Sequence, residues 1–469
     1  MSENREQVFE NEEFQVLLRK YEDMKRGTQS IFFDVEEFEQ IIDYYLDDFQ
    51  YDEAREAADL GKRQHPASVE IKYKYVHIHI EQGQPKKALA LLEEIPVWEE
   101  NNPERYFLKG TALCLTGKLK ESEAQFDRGL ELSVDDTFDA LINISIAFEN
   151  VRHYELAIKY LIQAYHKQPE NLSVLYDLGY FYDRLHRYDE SLKYYQQYLD
   201  LDPYSDNVWY NIGIVYHKLE MFEKAVEAYE FSIAINPDYA SSYFNKASVW
   251  LNAGKYDLAI ATYREFLQVE PESTQAYCYM GDCFEQMNLL DDALEAFRKV
   301  IELDNSDPEG WFGAGMIYHR LGRQQEAITY ILKAIEFDNK NLDYWINLGY
   351  ANEDAGLIDE AIKCYAYVCR SDASDLDAWT ALTALLLKEG QYETALGFLR
   401  EAFVHHSDDG GIKLKMAVCH LKLGDRELAA RFLKEALEAN SDLESEFSYF
   451  FPAGSRDSDF ERIIQQYKR

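Results

Sequence analysis

Hydrophobic and polar positions repeat every 34 residues along almost the whole chain. In the segment from Trp209 to Pro237, WYNIGIVYHKLEMFEKAVEAYEFSIAINP, apolar residues recur three, four and seven apart, the spacing of one helical face. Trp209, Ile212, Gly213 and Tyr216 form one stripe, and Ala225 and Tyr229 lie on a second. With Asp206 as position 1, blocks begin at 35, 69, 103, 138, 172, 206, 240, 274, 308, 342, 376 and 410. Position 20 is Ala in ten blocks and Ser in two, Ser122 and Ser191. Position 8 is glycine in six: Gly110, Gly179, Gly213, Gly281, Gly315 and Gly349. The pattern predicts two amphipathic helices per block, touching where the side chains are small. Position 15 is glycine in seven blocks, as suits a left-handed residue ending the first helix. Pro66, Pro169, Pro203, Pro237 and Pro271 occupy position 32, where proline is expected to stop the second helix and to open the next.

These positions, Trp then Gly then Tyr in the first helix and Ala, an aromatic and Pro in the second, resemble the tetratricopeptide repeat family. The resemblance covers residues 35–443 and is most specific in repeats four to ten. In the first two repeats Ile42 and Val76 replace the small residue at position 8, so looser packing is expected there. The resemblance implies an all-α, right-handed superhelical solenoid of about twelve helix-turn-helix repeats, with the first helices lining the concave side.

Three segments follow: 1–34, an acidic stretch and capping helix; 35–443, the repeats; and 444–469, a degenerate terminal repeat with a C-terminal capping helix. Phe14, Leu17, Leu18, Tyr21 and Met24 share one face of the first cap. At the other end, Ser441 and Glu444 have the spacing of a capping box, and Phe460, Ile463, Ile464 and Tyr467 make a final stripe.

Charge narrows the choice of partner. A net charge of −38 argues against a generic binder of nucleic acid, including RNA, because such a binder needs clustered bases. The start of the chain is acidic and has no apolar run, so no targeting segment is expected, and no window is apolar enough to span a membrane. Six scattered cysteines suit a reduced, cytoplasmic protein. The chain carries no phosphate loop, no H-E-x-x-H and no G-x-S-x-G, so no enzyme chemistry, cofactor or metal is implied.

The concave side in this family is faced by positions 2, 5, 6, 9, 12 and 13. One subgroup clamps the acidic C-terminal tails of chaperones with lysine at position 5. Here that position carries no lysine in any repeat, so such tails are not the expected ligand. Aromatic rings and amides stand there instead. The candidate peptide-binding residues are Asn143, Tyr176, Tyr180, Tyr210, Asn211, Phe244, Asn245, Asn347 and Tyr350, with rings to fill pockets and amides to pair with a peptide backbone. Acids are in excess at these inner positions only because position 2, the first helical turn, favours them through the helix dipole. A non-enzymatic scaffold or adaptor for proteins or extended peptides, basic ones included, is the expected function. Self-assembly, or service as the regulatory subunit of an enzyme supplied in trans, are the alternatives.

Overall fold

The computed structural model describes residues 12–26, 31–133, 137–451 and 458–467. The first eleven residues of the acidic N-terminal segment therefore lie outside the described residues. The chain divides into two compact units, Met1–Ile235 and Asn236–Arg469. Among the described residues every regular element is helical.

The first unit opens with the helix Glu12–Lys25, which buries Phe14, Leu17 and Tyr21. Helix pairs follow at the expected register: Val35–Asp47 with Tyr51–Gln64, Glu70–Glu81 with Pro85–Glu93, Pro103–Leu115 with Leu119–Leu132, Phe138–Asn150 with Tyr154–Lys167, Leu172–Arg184 with Tyr188–Leu201, and Asp206–Lys218 with Phe222–Ile235. The second unit continues with Ala240–Asn252 and Tyr256–Val269, Thr274–Gln286 and Leu290–Leu303, Pro308–Arg320 and Gln324–Phe337, Leu342–Asp354 and Ile358–Ser371, Leu376–Lys388 and Tyr392–His405, and Gly410–Lys422 and Arg426–Ala439. Two short helices, Leu443–Phe450 and Ser458–Tyr467, end it, and Phe447, Phe460, Ile463 and Ile464 join its core.

Contact between the two helices of a pair explains the small residues. A Cβ added to Gly179 would stand 2.5 Å from the Tyr195 ring, and one added to Gly213 would stand 2.6 Å from the Tyr229 ring. Position 8 is glycine because the position 24 side chain of the second helix lies directly on it. Where position 20 is serine, its hydroxyl donates across the same contact, Ser122 to the Gly110 carbonyl and Ser191 to that of Gly179, both at 2.7 Å. In repeats one and two a larger side chain stands at position 8 instead. Ile42 and Val76 are fully buried, Ile42 in a repeat whose position 24 is only Ala58. At position 8 itself neither repeat is loose.

Two further expectations are corrected at helix ends. The position 32 prolines sit in the turn after the second helix, and the next helix begins later, so they stop a helix but do not open one. The first-turn prolines are instead Pro85, Pro103 and Pro308. Ser441 is not the cap of the final repeat's first helix: that helix starts after Asp442, which makes no side-chain cap, and the Ser441 carbonyl accepts from the Glu444 amide.

Candidate inner face

Within the first unit, repeats four to six bring several of the candidate residues together. Tyr176 is half-buried on Leu172–Arg184, its ring 6.1 Å from Tyr195 and 6.4 Å from Tyr198. Asn211, on the next first helix, donates its side-chain amide to the Tyr176 hydroxyl at 3.1 Å. That contact joins position 5 of one repeat to position 6 of the next. Tyr180 lies one turn along, half-buried, with its ring 5.7 Å from Phe181 and the Arg184 guanidinium 6.0 Å above it. Tyr210 packs on Tyr229 at 5.8 Å. Asn143 stands exposed on Phe138–Asn150.

The same surface holds carboxylates that the sequence reading passed over. Asp177, beside Tyr176, has its pKa pushed up to about 7 by burial, with the nearby Glu149 carboxylate adding to the effect. Burial also raises Glu149. Desolvation without an opposing cation is what moves such groups upward. On the same helix as Asp177, Asp183 is instead paired: Lys218 donates to its two carboxylate oxygens at 2.8 and 2.7 Å.

Within the second unit the candidates divide differently. The Phe244 ring stands 5.7 Å from Tyr263, 5.3 Å from Phe266 and 5.8 Å from Tyr279, so much of it is spent in an aromatic cluster. Asn245 is half-buried next to it. Asn347 donates to the Asp343 carbonyl of its own helix at 2.8 Å, and Tyr350 stays 38% exposed beside Tyr365. Asp282 repeats the situation of Asp177, with its carboxyl pushed up to about 6 by burial and then by Glu285 and Glu309. The neighbouring Cys278 thiol is pushed up to about 12, chiefly by burial.

Paired charges run along these faces in a fixed register. Lys218 meets Asp183, Arg320 meets Glu285 at 3.1 Å and Lys388 meets Glu353 at 3.4 Å, each joining position 13 of one repeat to position 12 of the one before. His319 and Asp354 occupy the same two positions with the carboxylate now on the later repeat, 2.9 Å apart. A search for residues 35 apart with opposite charge would have found this ladder in the sequence. It also separates the paired acids from Asp177 and Asp282, which a count of charges by position cannot do.

Among the described residues no group of three or more His, Cys, Asp or Glu side chains could hold a metal ion, and no helix is long and apolar enough to cross a membrane. All six cysteines are free.

Profiles of the tetratricopeptide repeat match residues 45–110 and 386–448, 143–206, 251–308 and 280–343, 207–239, and 342–375. No curated protein matches the chain. Among solved structures, a tetratricopeptide repeat protein from Parabacteroides merdae is 18% identical, covering 53% of this chain and 99% of its own, with a TM-score of 0.40. MamA from Desulfovibrio magneticus is 19% identical over 36% of this chain and 96% of its own, with a TM-score of 0.34. YrrB, described as a TPR protein with an unusual peptide-binding site, is 20% identical over 39% and 95%, with a TM-score of 0.34.

Proposed function

Because the chain belongs to the tetratricopeptide repeat family, we propose that it is a non-enzymatic cytoplasmic scaffold that binds other proteins through extended segments carrying Lys or Arg. The observation that carries this reading is the surface of repeats four to six, where half-buried Asp177 lies beside the Tyr176–Asn211 pair. An acid held out of water without a cation gains most when a partner brings one. The Tyr176 and Tyr180 rings supply apolar area on either side, and Asn143, exposed on the preceding first helix, offers an amide to a peptide backbone. The net charge of −38 adds a long-range attraction for basic partners that salt weakens.

A peptide array probed with the whole protein tests the proposal. Peptides that place Lys or Arg next to an apolar residue should be retained, and the double variant Tyr176→Ala with Asn211→Ala should bind them about tenfold more weakly, the scale of a modest interface anchor. Retention of acidic peptides in preference to basic ones, or an unchanged double variant, would contradict it.

A further inference from the structure

Repeat two breaks the apolar pattern on the face of its first helix turned away from the inner positions. Positions 4, 7 and 11 are Lys72, Tyr75 and His79, where repeat four has Leu141, Ile144 and Phe148. The second helix of repeat two is also short, with nine residues against fourteen in the repeats on either side. Between Tyr51–Gln64, Glu70–Glu81 and the end of Pro85–Glu93 these departures leave a cavity of about 290 Å³.

The walls of this cavity run against the character of the chain. Arg55, Lys62 and Lys72 line it in a protein whose net charge is −38. Its lining acids are Asp59 and Glu94. Asp59 already accepts a hydrogen bond from the Tyr75 hydroxyl. The Lys62 ammonium stands 5.7 Å from the centre of the Tyr75 ring, whose face, with Ile71, gives the cavity an apolar side. His79, which also lines the cavity, is only 9% exposed. Burial, then Lys87 and Arg55, hold the His79 pKa below its usual value, which leaves a neutral ring with one donor and one acceptor.

We propose that this cavity binds a small organic anion, its phosphate or carboxylate group held by Arg55 and Lys72 and its flat apolar body laid on Tyr75 and Ile71. The volume falls just under the roughly 300 Å³ at which small-molecule pockets begin, which suits a ligand of about one ring and one acid group. The site uses positions 4, 7 and 11 of repeat two, so it is independent of the peptide-binding face.

Titration calorimetry on the full-length protein provides the test, with phenyl phosphate and benzoate as probes and phenol, benzylamine and inorganic phosphate as comparators. At least one aryl anion should bind saturably, and the stronger of the two identifies the acid group as phosphate or carboxylate. Arg55→Gln with Lys72→Gln should weaken that binding by about tenfold or more with an unchanged circular dichroism spectrum, because Arg55 is exposed and Lys72 only half-buried. The proposal is overturned if neither aryl anion binds or if the double variant binds equally well. It is also overturned if phenol or benzylamine binds as tightly as the anions, or if inorganic phosphate matches phenyl phosphate.

Discussion

Position 15 is where a single residue sets the geometry of each hairpin. All seven glycines there have positive φ, from 66° at Gly83 to 89° at Gly424. The five repeats without glycine adopt the same left-handed conformation with Phe49, Arg152, His186, Glu220 and Asn288, at φ between 56° and 59°. A Cβ in that region costs roughly 1–2 kcal/mol, least for asparagine. Arg152→Gly, His186→Gly and Glu220→Gly should each raise stability by about 0.5–1 kcal/mol in urea denaturation, and Asn288→Gly by less. The seven glycine turns were legible in the sequence because glycine signals this conformation. The other five were not, because nothing in Arg or Glu announces it, and only the register of the repeat does.

Asp177 makes a second prediction at this scale. Its folded pKa of about 7 lies above the ordinary 3.8, so the stabilising form is the protonated one. Its contribution is complete below about pH 4 and is lost as pH rises toward 7. Asp177→Asn, which keeps the shape without the charge, should therefore stabilise the protein at pH 8 by of the order of 1 kcal/mol and give progressively less as the pH falls toward 4. Urea midpoints measured across that range check the sign.

Between elements, the strongest recurring links that sequence patterning missed are polar. The apolar stripes and the glycine contacts follow from composition at fixed positions, because each recurs within one block. The cross-repeat links depend on pairs of residues in adjacent blocks. Trp311 and Trp345 illustrate this: each was legible as an apolar position 4 residue, yet each also donates its indole N–H to a carbonyl six residues back, Asn305 at 2.8 Å and Asn339 at 3.0 Å, tying the helix to the turn before it. Lys218 and Asp183 are the ladder pair with the most hidden carboxylate, the Asp183 side chain being 11% exposed. Removing Lys218 leaves that carboxylate desolvated, whereas removing the charge of Asp183 leaves an exposed lysine. Lys218→Ala should cost about 1 kcal/mol or slightly more, and most of that loss should vanish when the same change is made in Asp183→Asn. A double-mutant cycle in denaturant measures the difference.

For the molecule as a whole, the repeat supplies fold and function with different degrees of specification. Period, helix faces and small-residue contacts define the tetratricopeptide architecture so fully that the core was readable from residue types alone. The candidate face was readable only in outline. Tyr176 and Asn211 do meet, but Phe244 is drawn into a ring cluster and Asn347 bonds to its own helix, both consequences of side-chain geometry that a position number does not encode. Asp177 and Asp282, on which the proposed preference for basic segments rests, differ from the paired acids in burial without a cation, which residue type and position do not encode.

On the proposed function, partners lie along the first helices of repeats four to six. The most direct measurement is site-specific photo-crosslinking, with a photoreactive phenylalanine analogue placed in turn at Tyr180 and at Gln196, an exposed residue on the second helix of repeat five. Crosslinks are expected from position 180 to a defined segment of a partner that carries Lys or Arg, and none from position 196. Crosslinks to that partner from position 196 and not from position 180 would contradict it.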